Sequence, residues 1–310
     1  MALTKVSNSM LVQPVNHNIL INPSFTVRQR GGVVEHTGIS FGPDRWRLRG
    51  KNEVGGTKVE SSTVVDDATG INKLVVKHPR DATDPIKSNA NVQHRIEAVN
   101  LQGLYGKEMT LSFGYSDVGG SGIPRVTIGA YDSSATSKDV YNAVPISLGD
   151  NRWTCTVTLS TTDGTIPDPS ERGMLIIIYA NEANNAPDEW SLWETKLEVG
   201  SVATPFIARS YSEELALCKR YYEKQVIYQA PAMRSTDSGV GTVVNIFNPF
   251  YPKRAAPSVD FGAGGDSDKM SATTNVDSNT GIRLHWNSPT SISGGYIRSL
   301  TYSILLDSEL

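Results

Sequence analysis

The chain has 310 residues, enough for one large domain or two ordinary domains that each bury a hydrophobic core. Its 29 basic and 32 acidic residues leave a net charge of −3, which shows no basic footprint for nucleic acid and no basic run for an anionic membrane. No stretch approaches the ~18 consecutive apolar residues of a membrane span. We therefore expect a globular protein with no nucleic-acid partner and no membrane insertion.

The first 17 residues are polar and show no periodic pattern, so they predict an extended arm rather than a folded unit. The first ten residues lack the apolar core of a signal peptide. The glycosylation pattern Asn-x-Ser/Thr is also absent from the chain. These observations favour the bacterial cytosol, or a particle assembled there.

Between residues 18 and 210, short strand patterns recur. Apolar and polar residues alternate at 109–113 and 126–130, as in a half-buried strand. Residues 175–179 are apolar throughout, which predicts a strand buried on both sides. The polar run at 92–97 predicts a strand whose faces the pattern does not assign. Many short strands separated by turns predict an all-β sandwich or barrel.

One helix is predicted at 211–225. Ser212 can cap it, acidic residues fall in its first turn and basic residues lie near its end. Leu215, Cys218 and Tyr222 are spaced three and then four residues apart, which gives a narrow apolar stripe. A helix of this length is marginal alone, so the stripe must pack on the sandwich or on copies of itself.

The last stretch, 226–310, returns to strand patterns and predicts a second, smaller β domain. Ile282, Leu284 and Trp286 alternate with polar residues and therefore share one strand face. The two cysteines of the chain, Cys155 and Cys218, lie in no Cys-x-x-Cys motif. Two buried thiols are favoured over a disulfide, which the sequence leaves open.

The residues that carry chemistry form no recognisable catalytic pattern. None of the five histidines has metal-ligand spacing. Carboxylate pairs are the strongest catalytic candidates, since glycoside hydrolases cleave polysaccharides with two acids. Acids at this density are ordinary on a solvated surface, so we expect no enzyme activity. The acids considered are Asp66, Asp67, Glu182, Asp188, Glu189 and Glu194.

Aromatic residues are the natural candidates for binding sugars, because sugar C–H faces stack on rings while hydroxyls bond to planar polar groups. Trp46 and Trp153 fit core positions. Trp190 and Trp193 fall on opposite faces of one strand, so one of them is expected to point outward. The glycan-binding candidates are Trp190, Tyr251, His285 and Tyr296.

Three groups of short segments give the clearest indication of a family. They are NILINPSF at 18–25 with RQRGG at 28–32 and DRW at 44–46, LEVGS at 197–201 with ATPF at 203–206, and EL at 214–215 with CKRYY at 218–222. In this order they resemble the β-sandwich module of bacteriophage tail-fibre and receptor-binding proteins. The resemblance implies an all-β chain: a jelly-roll sandwich like a galactose-binding or carbohydrate-binding module, a short helix and a smaller C-terminal β domain.

The same resemblance implies how the chain is divided and what it does. Residues 1–17 would be an arm that binds other virion proteins, 18–210 the jelly roll, 211–225 a linker helix and 226–310 a β tip. The chain would be a structural subunit of a phage tail fibre or spike that adheres to a host-surface glycan. The alternatives are a capsid decoration or head-fibre protein, and a carbohydrate-active enzyme or its binding module.

Two further expectations follow from the resemblance. Fibre subunits of this kind form trimers, so Leu215, Cys218 and Tyr222 are expected to face the three-fold axis of a homotrimer. Related jelly rolls often carry a structural calcium ion, for which Asn22 and Asp44 offer oxygen ligands. No other cofactor is expected.

Overall fold

The structure, a computed structural model, forms two compact units, Met1–Ser210 and Tyr211–Leu310. It describes residues 17–31, 34–36, 39–49, 59–77, 90–104, 106–118, 122–131, 137–158, 173–180, 189–229, 244–249, 251–255, 257–262, 271–278, 281–287 and 300–308. Neither helix found in these ranges is long and apolar enough to span a membrane. Most of the predicted N-terminal arm, residues 1–16, lies outside the described residues.

The first unit is built from antiparallel strands and one four-residue helix. In chain order its elements are β1 (Val34–His36), β2 (Ile39–Phe41), β3 (Trp46–Arg49), β4 (Val59–Val65), β5 (Asn72–Lys77), β6 (Asn91–Glu97), α1 (Ala98–Leu101), β7 (Glu108–Val118), β8 (Pro124–Tyr131), β9 (Ser137–Ala143), β10 (Ile146–Gly149), β11 (Arg152–Thr158), β12 (Gly173–Ala180) and β13 (Glu189–Val199).

These strands form two sheets. The seven-stranded sheet has the order β1-β4-β5-β13-β7-β11-β10, and the six-stranded sheet has the order β2-β3-β6-β12-β8-β9. Within them, β5-β13-β7-β11 and β6-β12-β8-β9 follow the strand order of a jelly roll made of two Greek keys. The all-β sandwich predicted from the sequence is therefore confirmed, and its topology is that of a jelly roll.

The core lies between the two sheets and follows the alternation of each strand. Met109, Leu111 and Phe113 of β7 point into it, as their period of two predicts. Trp46 is fully buried, and its indole meets the rings of Phe25 and His94 edge-on at 5.0 and 4.7 Å between centroids. Burying each such side chain contributes about 1.5–3 kcal/mol to folding.

The second unit contains a helix, α2 (Tyr211–Lys219), and two three-stranded sheets among its described residues. Its strands are β14 (Tyr222–Gln229), β15 (Val244–Pro249), β16 (Ser258–Gly262), β17 (Ser271–Ser278), β18 (Gly281–Asn287) and β19 (Leu300–Asp307). The sheets have the orders β14-β19-β16 and β15-β18-β17.

The helix is shorter than the prediction of 211–225. It ends at Lys219, and Tyr222 begins strand β14, where it pairs with Asp307 of β19. The helical stripe of Leu215, Cys218 and Tyr222 therefore does not form. Cys218 and Tyr222 are buried within their own chain, so neither presents its side chain to another copy, whereas Leu215 is only partly buried.

Both cysteines are free and buried, as predicted. Cys155 lies in β11 on the core side, and burial raises the pKa of its thiol to about 12. A thiol held in this protonated form is a poor nucleophile and a poor metal ligand. Cys155 therefore serves packing rather than chemistry.

Candidate functional site

One face of the sandwich carries most of the planar polar side chains that a glycan site needs. It is the outer side of the six-stranded sheet, opposite the core, and we call it the polar face. Residues directly opposite each other in an antiparallel pair point to the same side, so the strand register defines its members. They are Phe41, Arg47, Arg49, Asn91, Gln93, Arg95, Glu97, Arg125, Thr127, Gly129, Asn142, Leu175, Ile177 and Tyr179.

The middle row of the polar face crosses five strands. Asn142 lies opposite Thr127, Thr127 opposite Ile177, Ile177 opposite Gln93, and Gln93 opposite Arg47. The Thr127 hydroxyl donates a hydrogen bond to the side-chain oxygen of Asn142 at 3.0 Å. This bond holds the Asn142 amide in one orientation, with its NH₂ group still able to donate.

The next row places an aromatic ring between an arginine and an asparagine. Arg125, Tyr179, Asn91 and Arg49 succeed one another across β8, β12, β6 and β3. The Arg125 guanidinium carbon lies 5.8 Å from the centroid of the Tyr179 ring, within the range of a cation–π contact. The Tyr179 hydroxyl is 3.4 Å from that of Thr127, which joins this row to the middle one.

The polar face is graded from exposed to buried. Arg49, Arg125 and Asn142 are exposed and Tyr179 is partly buried. The buried polar side chains of the face are Gln93, Arg95, Glu97 and Thr127. Among the side chains that the structure describes on this face, four are arginines and one, Glu97, is a carboxylate. The exposed part of the face is therefore positively charged.

Charged residues on the outer side of the seven-stranded sheet are arranged differently. Lys196 and Glu198 are buried and lie 3.1 Å apart. Both also bond to Thr204, whose backbone N–H donates to Glu198 at 2.8 Å. The segment at 201–205 is thereby attached to the sheet it follows. The charges of Lys196 and Glu198 are therefore used within the chain.

The other charges on that side also form pairs within the chain. Lys73 contacts Asp66 at 2.5 Å, and Arg152 contacts Glu194 at 3.0 Å. Hydrogen bonds from Lys73 and Thr69 lower the pKa of Asp66 to about 2. Burial lowers the pKa of Arg152, and the charge of Glu194 opposes that shift. Asp66 therefore stays ionised and paired, which does not suit it to act as a general acid, and Glu194 is paired with Arg152.

Three of the acids considered in the sequence lie beside a cation in the structure. Asp66, Glu189 and Glu194 each have a cationic partner, with Glu189 3.3 Å from Lys77. Glu182 and Asp188 lie outside the described residues.

The two neighbouring tryptophans occupy opposite sides of β13, as their spacing predicts. Trp190 is the inward one: it is 1% exposed, and its ring lies 5.9 Å from that of Tyr115. Its placement in the core corrects its selection as a glycan-stacking candidate, since a buried ring offers no face to a sugar. Trp193 points outward but lies flat over Gly114, with the Lys73 ammonium 4.9 Å from its ring.

The remaining glycan candidates belong to the second unit. Tyr251 is 44% exposed, and its backbone N–H donates to Glu223 at 3.0 Å, so its ring is held at the surface. His285 lies in β18, and its side chain is outside what the structure describes. Tyr296 lies outside the described residues. Tyr251 and His285 stay predictions.

Glu223, which holds Tyr251, also anchors the second unit. It forms a buried pair with Lys253 at 2.6 Å. Burial pushes the pKa of Glu223 up, but hydrogen bonds from Lys253 and Gln225 outweigh burial and lower it. The pair stabilises the loop that carries Tyr251.

The predicted calcium ligands do come together, but they do not fit a cation. Asn22 Oδ1 accepts a hydrogen bond from the backbone N–H of Val27 at 3.0 Å. Asp44 accepts from the backbone and side-chain nitrogens of Gln29 at 3.0 and 2.6 Å, and the Arg30 guanidinium lies 3.9 Å away. Donors and a positive charge surround these oxygens, so they fasten the N-terminal loop instead. No group of three or more metal-binding side chains occurs among the described residues.

Sequence reasoning missed the polar face because the patterns of its two central strands, β6 and β12, were ambiguous. The apolar run at 175–179 predicted burial on both sides, but Ile177 and Tyr179 are only partly buried and belong to the polar face. The run at 92–97 has its faces fixed by His94, which is buried against Trp46. The available signal was the alternation of Gln93, Arg95 and Glu97 at a period of two.

Comparisons with known proteins give distant structural similarities. No family model matches the chain, and no curated protein sequence matches it. The enzymatically active domain of tailspike protein 4 from bacteriophage CBA120 is 12% identical, with a TM-score of 0.33, over 59% of this chain and 21% of that chain. This chain therefore spans about a fifth of that tailspike chain.

Two other solved structures match over almost their full length. The CBM22-1 xylan-binding domain of Paenibacillus barcinonensis Xyn10C is 12% identical, with a TM-score of 0.35, over 61% of this chain and 98% of that chain. A cyclase from Fischerella sp. TAU is 13% identical, with a TM-score of 0.38, over 61% of this chain and 100% of that chain. At this distance the function has to be inferred from the side chains of the polar face.

Proposed function

We propose that the first unit binds a glycan through the polar face, and that the chain is a structural adhesion subunit of a bacteriophage particle. The observation that carries the glycan proposal is the exposed amide of Asn142 near the partly exposed ring of Tyr179, to which Thr127 connects it. Amide and hydroxyl groups donate to and accept from sugar hydroxyls, and the ring supports a sugar C–H face.

Rigid strands support this assignment. β6, β12 and β8 are the inner strands of the six-stranded sheet, so hydrogen-bonded neighbours hold them on both sides. Binding groups on such strands keep their geometry and lose little entropy when a ligand arrives. By contrast, charges of the seven-stranded sheet such as Lys196 and Glu198 already bind their own chain.

The virion role rests on the phage-like segments at 18–25, 197–206 and 214–222. In this proposal the arm at 1–17 attaches the chain to other virion proteins, and the particle carries it as a homotrimer. Immunogold labelling of purified phage particles tests the location. Label on the tail supports a fibre or spike, whereas label on the capsid supports the decoration alternative.

Glycan binding is tested with the full chain on an array of bacterial surface polysaccharides. The Tyr179→Ala variant should lose about tenfold or more in affinity, because it removes the ring and its hydroxyl from the face. The matched control is Tyr251→Ala, which removes an exposed tyrosine of the second unit. Loss of binding in the control but not in Tyr179→Ala would place the site in the C-terminal unit and refute the proposal.

Circular dichroism and thermal unfolding of both variants accompany the array. A Tyr179→Ala protein that keeps the wild-type unfolding midpoint and loses binding supports a direct contact. If Tyr179→Ala keeps both the unfolding midpoint and the affinity of the wild type, the polar face is not the glycan site.

A further inference from the structure

The polar face has a charge balance that the chain as a whole does not have. The chain carries a net charge of −3. On the polar face the described side chains include four arginines, at 47, 49, 95 and 125, and one carboxylate, Glu97. Of these side chains only Arg49 and Arg125 are exposed, so the accessible part that the structure describes carries positive charge.

The identity of these cations matters as well as their number. All four are arginine, whose planar guanidinium can form two parallel hydrogen bonds with one carboxylate. Arg49 and Arg125 are exposed on strands β3 and β8, and Arg47, two residues before Arg49 on β3, is partly buried. A neutral glycan would leave the exposed charges of Arg49 and Arg125 uncompensated, whereas a glycan with acid groups would neutralise them.

The spacing of the exposed arginines indicates a polymer. Arg125 lies in β8 and Arg49 in β3, with β12 and β6 between them. Neighbouring strands are about 4.8 Å apart, so the two positions are separated by about 14 Å across the sheet. A ligand that reaches both is longer than one sugar ring, and Tyr179 and Asn91 lie along its path.

We propose that the ligand of the polar face is an acidic polysaccharide, a polymer bearing carboxylates that pair with Arg49 and Arg125. This inference rests on the proposed glycan binding and names its chemical class. Tyr179 would support one sugar ring, with Arg125 held beside it by the cation–π contact. The exposed amide of Asn142, which Thr127 orients, would bond to the hydroxyls of the neighbouring unit.

The test compares each acidic polymer with a neutral polymer of the same backbone. The full chain is measured by biolayer interferometry against polygalacturonate, alginate and polysialic acid, and against the carboxyl-reduced product of each. We expect at least one acidic polymer to bind at least tenfold more tightly than its reduced product, and the difference to shrink as added salt screens the charges.

Substitutions test whether the preference for an acidic polymer arises from the polar face. Arg125→Gln should weaken binding to that acidic polymer by about tenfold, since it removes one charge-assisted contact. Arg125→Lys should recover part of the loss, because it restores the charge without the bidentate geometry. The control Lys107→Gln removes an exposed charge from a loop outside the polar face and should leave affinity within about twofold.

The outcomes separate this inference from the proposed function. Equal binding to acidic and carboxyl-reduced polymers, or binding to neutral glycans alone, would overturn the acidic class while leaving glycan binding intact. Equal affinity for single-stranded oligothymidylate would also overturn it, because that result shows charge attraction without recognition of a sugar. Binding to none of these polymers and to no glycan on the array would overturn both.

Discussion

The two outer faces of the jelly roll use the same residue types in opposite ways. On the seven-stranded side, Lys196 and Glu198 are buried as a pair that also holds Thr204. On the six-stranded side, Arg49 and Arg125 are exposed on a face with one described carboxylate. The first face pairs Lys196 and Glu198 within the chain, and the second exposes Arg49 and Arg125 to a ligand.

The comparison shows that the number of charges on a sheet face does not identify a binding surface. What distinguishes the faces is whether the counter-charge comes from the same chain. Buried pairs are costly to break because the remaining partner is left without compensation. Exposed arginines cost little to keep and gain energy only when an acid arrives.

The largest effect should come from breaking the buried pair. Glu198→Ala leaves the Lys196 ammonium buried without its carboxylate and removes both bonds to Thr204, so unfolding free energy should fall by about 3–5 kcal/mol. Urea denaturation measures this. The control is Glu189→Ala, whose exposed pair with Lys77 should cost at most about 1 kcal/mol. Equal losses of unfolding free energy in the two variants would show that the buried pair stabilises the fold no more than the exposed pair does.

A smaller loss of stability should follow from a substitution at Gly114, which Trp193 covers on the outer side of the seven-stranded sheet. A Cβ on Gly114 would lie 2.0 Å from Cε2 of Trp193, so Gly114→Ala must displace the indole. We expect a loss of about 1–3 kcal/mol in unfolding free energy. Combining it with Trp193→Leu should return part of that loss, because the smaller side chain leaves room for the new methyl group. Additive losses in the double variant would show that the ring does not rest on Gly114.

The pH dependence separates folding from binding. Burial and the nearby Arg45 guanidinium hold the pKa of His94 well below its usual range. Because the folded pKa is depressed, its stabilising contribution is present above the unfolded pKa of about 6.5 and is lost as pH falls, at up to about 1.4 kcal/mol per pH unit.

Replacing that histidine provides the check. His94→Gln should flatten the decline of unfolding free energy between pH 6.5 and about 5, whatever it costs in total stability. Above pH 6.5 the protonation of His94 no longer affects stability, so glycan affinity measured there reports binding alone. An unchanged slope in the variant would mean that His94 takes up its proton in the folded state.

Much of the fold could be predicted from local patterns. The alternation at 109–113 placed Met109, Leu111 and Phe113 on the core side, where the structure has them. The end of the helix could not be predicted, because Tyr221 and Tyr222 fit both a helical and a strand period. The pairing of Tyr222 with Asp307 decides it, and that contact joins residues far apart in sequence.

The polar face was harder to predict for a similar reason. Ile177 and Tyr179 sit in a run with no polar residue, so no local signal separates their side of β12 from the core side. Trp190 and Trp193 were correctly placed on opposite faces, but only the packing of Trp190 against Tyr115 shows which one is inward. Faces are assigned by neighbours across the sheet, and those neighbours are not adjacent in the sequence.

The most direct test of binding through the polar face is to remove two exposed positive charges from that face and two from elsewhere on the first unit. The affinity of the full chain for its acidic polymer is measured by calorimetry for Arg49→Gln/Arg125→Gln and for Lys77→Gln/Lys107→Gln, with urea denaturation of both. Each variant loses two exposed positive charges. The account predicts that only the arginine variant loses affinity, by about a hundredfold, while both keep their stability within about 1 kcal/mol. Equal losses of affinity in the two variants would contradict a binding site on the polar face.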